Sequence, residues 1–314
     1  MLTVATFYQF VTLQALPELR EQLLRLGRRG ELRGTILLAP EGINATICGQ
    51  HEPVLDFLEQ LRGDTRFDRL AVKFSQTGSD EPVFLRYKVK IKSEIVTMGI
   101  PGIDVATHTA EHVDAQRFNA LLGDPEVAVI DVRNQYETEI GTFVGAEDPG
   151  TESFRQFPEY VSERFGACKD QPIAMFCTGG IRCEKASAYL VEQGFTSVYQ
   201  LDGGILKYLQ TAPEDANLWH GECFVFDQRV TVDEALHPGD YVQCFACRRP
   251  VAPEQLNSPD YVEGVSCPAC IGRKSVAGFA ERQRQMQLAS SRGTAHLGPA
   301  AAPPLPDETQ KTQR

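Results

Sequence analysis

One cysteine stands where an apolar run gives way to a glycine-rich turn. Cys177 directly follows Ile173–Phe176, a run short enough for one buried strand, and precedes Gly179 and Gly180. Arg182 comes next, at the start of a stretch with the apolar spacing of a helix. The pattern predicts a tight loop between the C-terminal end of a strand and a helix N-terminus, where open α/β sheets carry their active sites.

Several features of this loop favour a thiolate at Cys177. The glycines let successive backbone N–H groups turn toward the sulfur, while the helix N-terminus and Arg182 add positive charge. The same donors would cradle an anionic substrate group. The candidate substrate-binding positions of the loop are Thr178, Gly179, Gly180 and Ile181. The alternative is a buried structural cysteine, the commoner fate of a lone cysteine, but the glycines and the arginine favour a reactive thiol.

Another cysteine follows in the first predicted helical turn. Cys183 could resolve a sulfenic acid or persulfide on Cys177, or it could be a small core residue. Burial statistics favour the core residue. Asp131 and Arg133 follow a second apolar run, so they are expected at the same edge of the sheet in a supporting role.

Four cysteines nearer the C-terminus have the spacing of metal ligands. They form two Cys-x2-Cys pairs separated by 19 residues, namely Cys244, Cys247, Cys267 and Cys270. This spacing predicts a structural zinc ion, with no open position for catalysis because four thiolates complete the coordination. Unmetallated thiols are the alternative. The basic residues that flank the pairs could offer a surface to RNA, and they are Arg248, Arg249, Arg273 and Lys274.

A basic stripe lies in the N-terminal part of the chain. Its four cations alternate with apolar residues and so share one face of a predicted strand: Arg86, Lys88, Lys90 and Lys92. Contact with RNA phosphates is one interpretation. The other is a solvated face on which lysines prevent edge-to-edge strand pairing, and the sequence leaves both open.

Composition narrows the class of protein. A chain of 314 residues with 42% hydrophobic residues can form two or three packed domains. The net charge is −11, but residues 95–220 hold 8 Lys and Arg against 19 Asp and Glu, whereas residues 1–94 hold 13 against 12. A flanking domain can therefore still present a basic face. No apolar run is long enough for a membrane span, and nine cysteines without an export signal indicate a reducing, cytoplasmic setting.

The predicted elements indicate an α/β fold. Residues 1–95 read β-α-β-β-α-β, the ferredoxin-like (acylphosphatase-like) order, with a helix over His51–Arg62 and a structural tight turn over residues 40–44. A helix is also predicted over residues 108–122. The expected division is an N-terminal domain over 1–95, a linker and lead-in helix over 96–122, a central α/β domain over 123–217, a Cys-rich region over 218–287 and a disordered tail over 288–314.

The central motifs resemble the rhodanese family. Cys177, Gly180 and Arg182 match its Cys-x-x-Gly-x-Arg active-site loop, and residues 127–146 and 194–205 resemble its entry segment and closing glycine turn. The resemblance implies a parallel sheet in the central domain and a persulfide on Cys177 during catalysis.

The whole arrangement is similar to the bacterial tRNA uridine hydroxylase family. The likeness is carried by LLAPEGIN, the alternating lysines, CTGGIRCEK, GECFVFDQRV and the paired cysteines. It implies oxygen-dependent 5-hydroxylation of the wobble uridine, position 34, of tRNA, with molecular oxygen as co-substrate. The rivals are a sulfurtransferase that moves persulfide sulfur from Cys177 to a small-molecule or tRNA acceptor, and a zinc-bearing RNA-binding module without catalysis.

The residues by themselves support a reactive cysteine and not hydroxylation. No flavin or nicotinamide motif and no carboxylate-histidine iron triad stands out in the sequence. Two chemical hypotheses follow. A cysteine could add to C6 of uracil and make C5 nucleophilic, or an oxidised or persulfidated Cys177 could act directly, in each case on a uridine splayed from the anticodon loop.

Overall fold

The computed structural model describes residues 1–77, 80, 83–105 and 107–272, together with residues 278, 281, 284, 285 and 288. The chain divides into two compact units, Met1–Lys92 with the described residues from Gln243 onward, and Ser93–Val242. Among these residues, no helix combines the length and the apolar character that crossing a bilayer requires. The predicted five-part division of the chain stays a prediction.

The N-terminal unit is built on a five-stranded sheet with two helices. Its elements are β1 (Thr3–Phe10), α1 (Leu16–Arg29), β2 (Arg33–Ala39), β3 (Gly42–Gly49), α2 (His51–Arg62), β4 (Val72–Gln76) and β5 (Tyr87–Ile91). The strand order is β4-β1-β3-β2-β5, antiparallel except that β2 and β5 run parallel. The first four strands and the two helices form the predicted ferredoxin-like fold, to which β5 adds an outer strand.

Spacing of leucines explains why α1 and α2 cover one face of this sheet. In α1, Leu19, Leu23 and Leu24 recur at helical spacing and are buried against the strands. Between β2 and β3 the chain turns at Pro40 and Glu41, whose carbonyls accept the N–H groups of Leu13 and Val11 at 2.9 Å each. The predicted structural turn is thus tied to the end of β1.

The predicted alternation along the basic stripe is present in β5 from Tyr87 to Lys90 and ends at Ile91, which is 41% exposed. Val89 is 4% exposed and packs in the core, whereas Lys88 and Lys90 are exposed. Arg86 and Lys92, which flank the strand, are exposed as well. Because β5 is an outer strand of the described sheet, its cations lie along an edge, where they can also discourage strand pairing.

The second unit is a layered α/β fold. Its elements are β6 (Glu111–Val113), α3 (Ala115–Leu122), β7 (Ala128–Asp131), α4 (Gln135–Thr138), β8 (Gly141–Phe143), α5 (Phe157–Phe165), β9 (Ile173–Phe176), α6 (Ile181–Glu192), β10 (Val198–Leu201), α7 (Gly204–Thr211), β11 (Trp219–Gly221), β12 (Cys223–Phe224) and β13 (Thr231–Val232). The main sheet is parallel with strand order β6-β10-β9-β7. Residues of α5 and α6 pack on one face and residues of α3 and α7 on the other.

The predicted helix over residues 108–122 is wrong in its first half. Glu111–Val113 is a strand that pairs with Tyr199–Leu201, and the helix begins only at Ala115. Asp114 ends the extended segment and caps the helix, since its carboxylate accepts the N–H of Arg117 at 2.8 Å. Pairing with a strand almost ninety residues away therefore overrides the local helical pattern.

The Cys-rich segment adds a small ribbon, β14 (Val242–Gln243) with β15 (Pro250–Val251). Short 3-10 helices occur at Thr65–Phe67, Phe154–Gln156, Glu214–Ala216 and Pro253–Asn257. Arg273 and Lys274 lie outside the described residues, as do residues 289–314 of the predicted disordered tail.

Candidate active site and metal site

Cys177 directly follows β9, an inner strand of the parallel sheet. The loop Thr178–Gly180 then leads into α6, and Gly180 is the residue before the helix. Gly180 has φ of 101°, a left-handed conformation in which its N–H points back and donates to Cys177 Sγ at 3.1 Å. The predicted strand, loop and helix therefore assemble around this sulfur.

Hydrogen bonds and one cation act on the Cys177 sulfur. Burial by itself would raise the pKa of Cys177. The thiol and the N–H of Cys183 and the N–H of Gly180 donate hydrogen bonds to the sulfur, and Arg182 adds a positive charge. Together these effects outweigh burial and lower the pKa of Cys177 to about 5. The pKa of Cys183 shifts in the opposite direction, because burial and the neighbouring Cys177 sulfur both raise it. At neutral pH the pair is therefore a Cys177 thiolate that accepts a hydrogen bond from a Cys183 thiol.

Arg182 is held by a buried carboxylate. Its Nη1 and Nη2 donate to the two carboxylate oxygens of Glu137 at 2.6 and 2.9 Å, and Nη2 also lies 3.3 Å from Thr178 Oγ1. Glu137 is fixed in turn, because its side chain accepts the N–H of Asn134 at the start of α4. Arg182 thus acts on Cys177 through its charge, while contact between Arg182 and a substrate stays a prediction.

The glycine turn after β10 supports the loop from below. The N–H groups of Ile205 and Leu206 donate to the carbonyls of Cys177 and Thr178 at 3.0 and 3.1 Å. A Cβ on Gly204, whose φ is 67°, would lie 2.3 Å from the Cys177 carbonyl oxygen. Only glycine lets the start of α7 approach the Cys177 loop this closely. The paired glycines after β10 are therefore the sequence signal for this contact.

The Cys177 side chain lies beneath the loop rather than on it. The residue is 1% exposed and belongs to an apolar cluster of the core, whereas Gly179 and Ile181 are half-buried at the loop surface. Two cavities of about 350 and 250 Å³ in the described part of the chain are lined by other residues. Burial was expected for a structural cysteine, yet the donors around Sγ distinguish Cys177 from an ordinary core thiol.

Asp131 and Arg133 pair with each other. Arg133 Nε and Nη2 donate to the Asp131 carboxylate at 2.8 and 2.6 Å, and Nη2 also donates to the Gly141 carbonyl at 2.6 Å. Both side chains are buried, with the guanidinium 5.2 Å from the ring centre of Trp219. The pair joins β7 to β8, while its supporting role toward the Cys177 loop stays a prediction.

A polar network beside α6 was missed by sequence reasoning. His112 Nε2 lies 3.0 Å from Glu184 Oε1, and Gln200 Nε2 lies 3.1 Å from Glu184 Oε2. The hydrogen bond with Glu184 raises the pKa of His112. Pairing of β6 with β10 brings these side chains together, and the short strand carries no local signal of that pairing.

The four spaced cysteines form one cluster. Their ligand atoms lie within 4.8 Å of one another, with Sγ–Sγ distances of 4.0 Å for Cys244 and Cys270, 3.7 Å for Cys247 and Cys267, and 3.8 Å for Cys267 and Cys270. Four thiolates about 2.3 Å from a tetrahedral Zn²⁺ would be about 3.8 Å apart. The cluster therefore has the number, chemistry and spacing of ligands for a metal ion such as zinc.

The flanking arginine of this cluster lies near the basic strand of the same unit. Partial burial lowers the pKa of Lys88, and the nearby charges of Lys90, Arg86 and Arg248 add to that effect. Arg248 also stacks on Phe245, with the guanidinium carbon 5.3 Å from the ring centre. Cations from two distant parts of the sequence thus contribute to one electrostatic environment.

The parallel sheet, the Cys177 loop and the glycine turn that supports it define a rhodanese-like domain. The sequence matches the family described as rhodanese-like domain over residues 114–211 and that described as UPF0176 acylphosphatase like domain over residues 2–95. The chain therefore combines an N-terminal UPF0176 acylphosphatase like domain with a rhodanese-like domain.

Three solved structures resemble parts of the chain. A rhodanese-like domain from Anabaena sp is 21% identical, with 35% of this chain and 78% of that chain covered and a TM-score of 0.29. A rhodanese-related protein from Thermoplasma volcanium is 19% identical, with 32% and 93% covered and a TM-score of 0.27. A protein from Bacillus halodurans is 21% identical, with 36% and 77% covered and a TM-score of 0.29.

Proposed function

We propose that this chain is a tRNA-modifying oxidoreductase that hydroxylates C5 of the wobble uridine, position 34, to give 5-hydroxyuridine. The observation that carries the proposal is the Cys177 thiolate, held in a rhodanese-like loop within the UPF0176 architecture. A simple sulfurtransferase needs only the central domain, whereas an enzyme that acts on tRNA also needs surfaces that bind RNA. The reaction belongs to the cytoplasm, where thiols stay reduced.

The N-terminal unit supplies a surface suited to RNA. Lys88 and Lys90 are exposed on the outer strand β5, with Arg86 and Lys92 on either side of it. Arg248 from the metal cluster adds a cation to the same environment, and Phe245 adds a ring. Basic side chains together with an aromatic ring are the combination that binds phosphates and stacks on unpaired bases.

The chemistry begins at the thiolate. Oxygen, uridine, two electrons and two protons give 5-hydroxyuridine and water, with a thiol reductant as the two-electron donor. Addition of a sulfur nucleophile to C6 would make C5 electron-rich and ready to attack an oxidant. Since Cys177 is 1% exposed, the loop has to open before a base can reach the sulfur.

Burial of the Cys177 sulfur favours one alternative function, sulfur transfer through a persulfide. A persulfide on Cys177 would extend the reacting atom by one S–S bond, about 2 Å beyond Sγ. A chain that uses its sulfur in this way would be a sulfurtransferase that delivers sulfur to a small-molecule or tRNA acceptor. The N–H donors at the loop suit the negative charge of a persulfide as well as that of a thiolate.

The decisive experiment replaces the sulfur. In a strain whose tRNA hydroxylation depends on this protein, Cys177→Ser should lower the 5-hydroxyuridine content of tRNA by at least about a hundredfold. Nucleoside mass spectrometry measures this content. Cys168→Ser, which alters an exposed thiol, is the matched control and should modify tRNA fully. Full modification by Cys177→Ser would refute a catalytic role for this sulfur.

A second assay distinguishes the sulfurtransferase from the hydroxylase. Thiocyanate formation from thiosulfate and cyanide, measured beside tRNA binding at several salt concentrations, tests for sulfurtransfer to small molecules. Thiocyanate turnover without salt-dependent tRNA binding would favour the sulfurtransferase.

A further inference from the structure

The buried thiol of Cys183 has an unusual neighbour. It lies in the first turn of α6, is 0% exposed, and donates a hydrogen bond from both its thiol and its N–H to Cys177 Sγ. Another buried cysteine of the same unit, Cys223, is 0% exposed but directs its thiol at the Phe224 carbonyl, 3.7 Å away. Cys183 therefore combines core burial with direct contact to the candidate nucleophile.

We propose that Cys183 is the resolving thiol of Cys177, so that oxidation of Cys177 ends in a Cys177–Cys183 disulfide. The inference rests on a reactive Cys177 and not on hydroxylation of tRNA.

The chemistry balances with a hydroperoxide as the oxidant. The Cys177 thiolate attacks the peroxide, the O–O bond breaks, and Cys177 becomes a sulfenic acid while the peroxide leaves as hydroxide or alkoxide. The Cys183 sulfur, losing its proton, then attacks the Cys177 sulfur, and the S–O bond breaks to release water. Two molecules of an external thiol afterwards reduce the disulfide and form their own.

The arrangement of the loop favours this second step. Cys183 approaches from the helix side, where its hydrogen bond already directs its sulfur at Cys177. An external thiol reaches a sulfur that is 1% exposed only after the loop opens, whereas Cys183 is already in place. A neighbouring thiol is therefore the partner that can intercept a sulfenic acid before a second peroxide converts it to sulfinic acid, which thiols do not reduce.

The sequence offers a direct readout of this bond. Arg182 separates the two cysteines, and the nearest preceding and following basic residues are Lys169 and Lys185. Trypsin thus releases Cys177 in peptide 170–182 and Cys183 in peptide 183–185. A disulfide between the cysteines appears as these two peptides joined, two hydrogens lighter than their sum.

The experiment treats the full chain with hydrogen peroxide near pH 7, blocks free thiols under denaturing conditions and maps peptides without reductant. Wild type should give the joined peptides, and dithiothreitol should regenerate free Cys177. In Cys183→Ala the joined pair is lost, and the fraction of Cys177 that dithiothreitol recovers should fall by about tenfold as sulfinic acid accumulates. Cys48→Ala, which alters a buried cysteine of the other unit, should behave as wild type.

A serine variant covers the case in which alanine prevents folding. Cys183→Ser keeps a hydrogen-bond donor of similar size without a sulfur, so it should lose the joined peptides while Cys177 still reacts. The proposal is overturned if wild type gives no joined pair, if Cys177 joins peptide 165–169 that carries Cys168 instead, or if recovery in both Cys183 variants equals that of wild type. No tRNA is present, so these outcomes are independent of the hydroxylase assay.

Discussion

Two groups of cysteines place sulfur in contrasting environments. Cys177 is one sulfur that accepts hydrogen bonds from Gly180 and Cys183 and lies near a fixed cation, Arg182. The metal cluster of Cys244, Cys247, Cys267 and Cys270 holds four sulfurs within 4.8 Å of one another. Donors and a cation can stabilise a single thiolate and leave it free to react, whereas four thiolates repel and require a cation among them.

The contrast shows that residue type alone does not decide function. The Cys177 loop and the metal cluster differ in the number of sulfur atoms and in the source of the positive charge near them. In the Cys177 loop the positive charge is built into the protein as Arg182, whose partner Glu137 is buried. In the metal cluster the positive charge has to come from a bound ion, and the ligand atoms are then consumed by coordination.

Removal of one metal ligand should have the largest effect. Cys267→Ala should lower bound zinc from one ion per chain toward zero, with loss of about 10 kcal/mol of metal-linked folding free energy in this segment. Elemental analysis gives the zinc content, and proteolysis of the segment reports its folding. Cys48→Ala in the same unit is the control, and a protein purified without zinc that keeps this segment resistant to protease contradicts the prediction.

Removal of the buried cation should have the next largest effect. Arg182→Met strands the buried carboxylate of Glu137, so the free energy of unfolding should fall by about 3–5 kcal/mol in urea denaturation. The double variant Arg182→Met with Glu137→Gln removes the stranded charge, keeps a capping side chain in α4 and should recover much of this loss. Arg164→Met, which breaks an exposed pair with Glu147, should cost only about 0–1 kcal/mol.

The pH dependence of stability should reveal the thiolate. The pKa of Cys177 is about 5 in the folded protein and about 8.5 in an unfolded chain. Its stabilisation is therefore complete above about pH 8.5 and is lost as pH falls through about 5, with a slope of about 1.4 kcal/mol per pH unit between them. The free energy of unfolding of wild type minus that of Cys177→Ser, measured by urea titration, should show this slope. Parallel profiles would contradict a stabilised thiolate.

Local patterns were sufficient to predict the elements that position Cys177. The strand Ile173–Phe176 and the helix His51–Arg62 match their predictions residue for residue, because an apolar run and leucine spacing are local signals. The loop follows from its glycines. The strand Glu111–Val113 was missed because it is held by pairing with β10 rather than by its own composition.

Contacts between distant residues were beyond the sequence. Glu137 precedes Arg182 by 45 residues, and no periodicity marks their pairing. The contact of Cys183 with Cys177 depends on the path of the loop, so the sequence left Cys183 open between a resolving thiol and a core residue. That the described residues from Gln243 onward belong with the N-terminal unit likewise depends on tertiary contacts alone.

The smallest effect should come from the basic strand β5 of the N-terminal unit. Lys88→Ala and Lys90→Ala should each weaken tRNA binding and reduce the slope of log affinity against log salt by about 1, since each removes one phosphate contact. Arg25→Ala, an exposed cation on α1, is the matched control and should leave the slope unchanged. Filter binding at several salt concentrations measures the slope. Equal slopes in all variants would mean that β5 carries lysines only to protect a sheet edge, and tRNA would then have to bind elsewhere.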